Sequence, residues 1–200
     1  MAHEIKNFDY LLGGNAKGLS DNQLKAHFTL YQGYVKKLNE IWDNLGGADR
    51  STANYSYGEY SELRRREPVA FNGTVLHELY FENLGKGGMQ PGSETRQLID
   101  TSFGSFDAWV TDAKAVLMSG HGWLITVYDE NHKRLINNFI QSEHHVGLLA
   151  NTRVVLALDA WEHAYFFDYQ TKKADYAANV LAGMNWQVVN TRVKAIMPAR

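Results

Sequence analysis

The chain contains no cysteine. That single absence excludes disulfide scaffolds, zinc fingers, thiolate-held iron–sulfur clusters and cysteine nucleophiles. No apolar run reaches the roughly 20 residues needed to span a bilayer. No internal repeat or low-complexity tract is present. The formal charge is only −2, with a pI near 6.4. There is thus no global basic field to recruit nucleic acid or an acidic membrane, and neither is expected as a partner. Met1-Ala2-His3-Glu4-Ile5-Lys6 is not followed by the apolar stretch of a secretion signal, which predicts a cytoplasmic protein.

What remains is an ordinary globular composition rich in rings. Hydrophobic residues make up 44 % and charged residues 21 %, which argues against disorder. Aromatics number 5 Trp, 11 Tyr and 9 Phe. The 200 residues suffice for one domain or two small ones with a buried core. With cysteine absent, any metal must be held by carboxylates and by some of the 8 histidines.

Hydrophobic spacing divides the chain in two. Residues 1–20 are polar and glycine-punctuated and read as an extended lead-in. Ser20 or Asp21 can cap a long helix from about Asn22 to Leu45, with Leu24, His27, Phe28, Tyr31, Tyr34, Val35, Leu38, Ile41 and Trp42 at helical spacing. A second helix is expected over Asn72–Leu84, making an antiparallel helical hairpin. The glycine-rich stretch from Gly85 to Gly92 marks a boundary between domains at 1–88 and 89–200. Beyond it come helical patterns at Glu94–Phe103 and Ser105–Met118. Strand patterns follow at Trp123–Tyr128, Lys133–Ile140 and Val154–Leu158, and helical patterns at 160–170 and 172–196. The predicted class is α+β: a helical hairpin, then an α/β domain with a small, about three-stranded antiparallel sheet.

One segment concentrates ionisable groups. Asp159 directly follows an apolar strand, and His163 lies four positions later in Asp159-Ala-Trp161-Glu162-His163-Ala-Tyr165. On a helical turn a carboxylate and an imidazole at that spacing converge on one ion. The same residues also read as an ordinary helix start, with Asp159 as N-cap and His163 satisfied in the core.

This segment resembles the signature of the iron/manganese superoxide dismutases. Other landmarks of that family occur in order: His27-Phe with Tyr34-Val35, Phe71-Asn72-Gly73 with His77, Ser102-Phe-Gly-Ser-Phe106, Gly120-His-Gly-Trp123 and Asn185-Trp186. The resemblance covers about residues 20–190. It implies one iron or manganese ion per subunit, held by His27, His77, Asp159 and His163 with solvent as a fifth ligand. It implies superoxide as substrate, disproportionated to O2 and H2O2 by M(III)/M(II) cycling. A glutamine often bonds the solvent in this family, from one of two places. Gly73 stands at the first and His144 at the second, which makes His144 the expected solvent partner, His145 its register-shifted alternative, and iron or dual-metal use the favoured cofactor. Tyr34 is the implied gateway. Trp123 and Trp161 are the implied cavity walls, although plain core packing explains them equally. Glu162 is expected to bond the ligand histidine of a second subunit, so a homodimer is the minimum unit, with a tetramer open.

Departures from the family pattern cluster on the first helix. Tyr34 lies seven residues after His27 instead of eight, and an eight-residue count would place Ala26, which cannot ligate, at the metal. At 3.6 residues per turn, positions 27, 31 and 34 are expected on one face. Tyr31 replaces a histidine, and Phe166 replaces the tyrosine that bridges to it across the dimer. Phe81 stands where tryptophan is usual. Other O2 chemistry at a His/carboxylate iron site, or a silent binding protein of this fold, are the alternative readings. Arg64-Arg65-Arg66 reads as a solvated face before it reads as anion steering.

Overall fold

In the computed structural model residues 2–197 are described. Met1 and residues 198–200, the outer ends of the two expected domains, lie outside the described residues. Two long antiparallel helices come first, α1 (Asp21–Gly47) and α2 (Glu59–Asn83). Ser20 caps α1, its hydroxyl accepting from the Gln23 amide at 3.1 Å. The apolar stripe of α1 packs against α2, and at the hairpin tip Leu38, Ile41, Leu45 and Ala70 form a separate small core. α2 begins well before the expected Asn72 and runs through Pro68. A proline inside a helix forfeits one backbone bond, but Glu59 and Glu62 in the first turn favour the positive end of the helix.

The second unit contains α3 (Ser93–Phe103), α4 (Phe106–Met118) and a sheet of β1 (Gly122–Asp129), β2 (Arg134–Gln141) and β3 (Thr152–Asp159). The strand order is β2-β1-β3 and both pairings are antiparallel. All eight residues of central β1 are buried, which explains why its sequence is mostly apolar and does not alternate. The register sets Trp123 opposite Asp159. Gly122, next to Trp123, has φ +149°, and a Cβ there would lie 2.0 Å from the Ile140 carbonyl oxygen. Only glycine lets the strand start so close to β2.

Three further expectations change. The lead-in is docked, not extended: Phe8, Leu11, Ala16 and Leu19 are buried, and Phe8 lies 4.9 Å from the Phe81 ring. Residues 160–170 do not form one helix. A 3-10 turn (Glu162–Ala164) precedes the four-residue α5 (Phe166–Tyr169). Residues 172–196 split into α6 (Lys173–Ala182) and α7 (Trp186–Ile196). The break occurs because Met184 bridges to Leu84, and the Asn185 amide donates to the Asn83 carbonyl at 2.8 Å. Among the described residues no helix is long and apolar enough to cross a membrane.

Candidate metal centre

The hairpin and the α/β unit meet at four side chains. His27 comes from α1, His77 from α2, Asp159 from the end of β3, and His163 from the 3-10 turn beyond it. One ligand atom from each lies within 4.8 Å of all the others. His27, His77 and Asp159 are at most 1 % exposed, whereas the His163 side chain is 31 % exposed. His163 joins the cluster through a strand end and a 3-10 turn, not through the helical turn its spacing suggested.

Hydrogen bonds orient Asp159, His163 and His77. Asp159 Oδ1 accepts the Trp161 amide at 2.8 Å. Its Oδ2 therefore faces the imidazoles, with Nε2 of His163, His27 and His77 at 3.0, 3.2 and 3.7 Å. The ring Nδ1 of His77 bonds the Gly73 carbonyl, which fixes the proton there and leaves Nε2 as a lone pair. Nε2 of both His27 and His77 is buried without a hydrogen-bond partner, since the approach of His27 to Asp159 lacks hydrogen-bonding alignment. Unpartnered buried nitrogens are costly unless a cation uses them. The donor set, three imidazoles and one carboxylate, suits iron or manganese, so the residues present fit such an ion.

The electrostatics agree. Burial lowers the His27 pKa, opposed in part by Asp159, and lowers that of His77 further, with His27 adding to the effect. Burial by itself raises the Asp159 pKa, but His163 and His27 outweigh it and hold the carboxyl far below the usual range. Neutral imidazoles beside an ionised carboxylate are the protonation states in which all four groups can ligate.

Aromatic rings enclose the cluster. Tyr34 stacks on His77 with centroids 5.3 Å apart, Trp123 meets His77 edge-on at 5.0 Å, and Trp161 stacks on His163 at 6.1 Å. Phe81 lies edge-on to His27 at 5.0 Å. Gly73 makes room for Tyr34: a Cβ at 73 would lie 2.5 Å from the Tyr34 ring. His144, 3 % exposed, sits between Trp123 and Tyr34. Its Nδ1 accepts the Trp123 indole N–H at 2.8 Å, and its Nε2 lies 2.7 Å from the Tyr34 hydroxyl. Burial lowers the His144 pKa.

His145 and Tyr31 lie elsewhere. His145 turns its Nδ1 to the Glu143 carbonyl. Tyr31 donates its hydroxyl to Glu78 at 2.8 Å and accepts the Lys6 amide at 3.1 Å. Positions 27, 31 and 34 therefore do not act on one face. Relative to His27, Tyr34 turns back about 20° and Tyr31 turns on about 40°, enough to send it to the lead-in side. Glu162, Phe166 and Phe167 are exposed.

Sequence reasoning missed three residues. Gln23, fully buried, donates Nε2 to the His163 carbonyl at 2.5 Å and accepts the Phe167 amide at 3.1 Å. Glu78, beside His77, gathers His3, Lys6 and Tyr31. Asn72 donates to the His144 carbonyl at 2.9 Å. A polar residue sharing a helix face with apolar neighbours was the one available signal for Gln23.

Three imidazoles and a carboxylate converging in an aromatic-walled pocket, supplied by both halves of the chain, define a mononuclear non-haem metal site. Comparison with known proteins is specific. The family described as iron/manganese superoxide dismutases, C-terminal domain, matches residues 91–192. The chain is 38 % identical over 202 residues to the superoxide dismutase (Fe) of Aquifex aeolicus (strain VF5), covering 98 % of this chain and 94 % of the relative. It is 36 % identical over 182 residues to the superoxide dismutase (Fe) of Cupriavidus metallidurans, covering 89 % and 90 %. It is 29 % identical over 191 residues to superoxide dismutase (Mn) 2 of Haloferax volcanii, covering 93 % and 92 %. The chain belongs to the iron/manganese superoxide dismutase family.

Proposed function

We propose that His27, His77, Asp159 and His163 hold one iron or manganese ion and that the chain disproportionates superoxide. The observation that carries this reading is the pair of unpartnered Nε2 atoms of His27 and His77, aimed at the oxygen of Asp159 that also faces His163. When bound, the ion supplies alternating one-electron oxidation and reduction, turning two superoxide anions and two protons into O2 and H2O2. Iron or dual-metal use is favoured, supported by His144 and by relatives named for each metal.

The chain's own residues exclude bulk and manage protons. Trp123, Trp161, Phe81 and Tyr34 wall the cluster and suit a small substrate. An indole N–H can only donate, so Nδ1 of His144 is the acceptor. Neutral His144 then carries its proton on Nε2, pointed at the Tyr34 oxygen. The Tyr34 hydroxyl hydrogen is left free to be given to a small anion or to solvent. Burial raises the Tyr34 pKa, with Asp159 adding to it, and keeps that hydrogen in place. His144 thus acts through Tyr34, and this contact favours it over His145, whose Nδ1 faces the Glu143 carbonyl.

A homodimer belongs to this reading. Phe166 and Phe167 are 51 % and 71 % exposed next to the partly open His163 and to Glu162. Large apolar groups at such a rim favour a protein partner, and this reading gives exposed Glu162 the role of bonding the ligand histidine of a second copy. A cytoplasmic location belongs to the same reading, since the fold needs no oxidising compartment to form disulfides. The test is metal analysis and superoxide decay on protein loaded separately with iron and with manganese. One ion per chain and accelerated decay are expected. Stoichiometric metal with no acceleration for either ion overturns the proposal.

A further inference from the structure

His144 stands in an irregular segment between β2 and β3, not on a helix or strand. Three successive non-glycine residues there have positive φ: Ser142 at 21°, Glu143 at 57° and His144 at 58°. L-residues avoid that region, and a run of them persists only where the surroundings fix it. Few ties do so. From the flanking strand β2 the Gln141 backbone amide donates to the Val146 carbonyl at 3.1 Å and the Asn138 side-chain amide to the Gly147 carbonyl at 2.8 Å, and the Ser142 amide reaches the His121 carbonyl at 3.5 Å. From outside, two ties come from α2: the Asn72 side-chain amide donates to the His144 carbonyl at 2.9 Å, and Arg66 pairs with Glu143 at 2.7 Å.

These two ties are unequal. Arg66 and Glu143 are both more than half exposed, so solvent and salt weaken their pair. Asn72 is half-buried and bonds the very residue whose imidazole lies between Trp123 and Tyr34. It is also followed by Gly73, over which the Tyr34 ring lies, and Gly73 in turn bonds His77. One turn of α2 therefore sets the backbone of His144, the seat of Tyr34 and the tautomer of His77.

We propose that Asn72 is a positioning residue that holds the left-handed backbone of His144, and through it the His144–Tyr34 contact. This rests on the role given above to His144 and Tyr34. The test is a double-mutant cycle on iron-loaded protein with Asn72→Ala, His144→Ala and the double variant. The readouts are metal content, thermal unfolding, and azide affinity with the visible absorption of the ferric form. Asn72→Ala is expected to keep its metal, to change the azide dissociation constant by about fivefold, the worth of one hydrogen bond, and to have no further effect when His144 is already alanine. Asn72→Ser is made in parallel as a smaller perturbation. An additive effect, or unchanged azide affinity in both Asn72 variants while His144→Ala shifts it, overturns the positioning role alone. Unchanged affinity in His144→Ala overturns the reading of His144 itself. Loss of metal or folding in both Asn72 variants also overturns the proposal, by making Asn72 a general structural residue.

Discussion

The indole N–H of Trp123 meets Nδ1 of His144 at 2.8 Å, and this bond selects the nitrogen that His144 turns to Tyr34. Trp123→Phe keeps the ring packed against His77 but removes the donor. A buried acceptor left unpaired costs about 1–3 kcal/mol. Calorimetry should show a Tm lower by several degrees in a chain of this size. The proton on His144 would no longer be confined to Nε2, so turnover should fall with metal content unchanged. A variant as stable and active as the parent would remove Trp123 from the proton path.

Gly73→Ala sets two effects against each other. Inside a helix, alanine is favoured over glycine by about 1 kcal/mol. Here the new Cβ would lie 2.5 Å from the Tyr34 ring. Overpacking of a fitted contact costs about 1–3 kcal/mol, so the net change should be destabilising. Urea unfolding decides the sign. A gain in stability would mean that the Tyr34 ring moves aside easily.

Gln23→Ala would leave the His163 carbonyl and the Phe167 amide without their partner. Two unmet backbone groups amount to roughly 2–6 kcal/mol. Because the loss falls on the segment bearing His163, metal release to a chelator should accelerate as well. Unfolding and chelator-release rates measured on one preparation check both effects.

Acid should weaken the apo-protein through its histidines. Burial holds His27, His77 and His144 below the ordinary imidazole pKa. Between that lowered value and about 6.5, the unfolded chain binds more protons than the folded one, so stability rises with pH. The contribution is complete above about pH 6.5 and is lost as pH falls through the folded values. Asp159, also depressed, adds its own loss only below about pH 4. Thermal melts of metal-free protein should therefore show Tm declining from pH 7 to pH 5. A flat profile would show that these imidazoles are not held neutral.

His77→Ala should reduce metal content from one ion per chain to about zero, because a His3–carboxylate site loses one of four donors. Elemental analysis measures this directly. Full retention would move the site elsewhere.

The first helix was legible from its long, clean hydrophobic period and the strands from short apolar runs, whereas the charged first half of α2 shows no such period and was not read. The four clustered groups were legible because His and Asp stood in a distinctive order along nearly the whole chain. The helix expected over 160–170 failed for a physical reason: Asp159 spends Oδ1 on the Trp161 amide, and the chain must turn tightly for His163 to reach Oδ2. The continuous helix over 172–196 failed because backbone pairing to Asn83 and Leu84 lies far away in sequence. The roles of Gln23 and Asn72 could not be read, since each acts on a main-chain group delivered by the fold, although the place of Gln23 on an apolar helix face was a signal. Tyr31 shows the limit of helical spacing: a rotation of about 40° moved it from the cluster to Glu78.

His27 and His77 belong to the first half of the chain, and Asp159 and His163 to its last quarter. During synthesis the two early imidazoles emerge well before their counterparts exist. A nascent polypeptide therefore carries only half of the cage, and the complete set of four donors exists only once translation is nearly over.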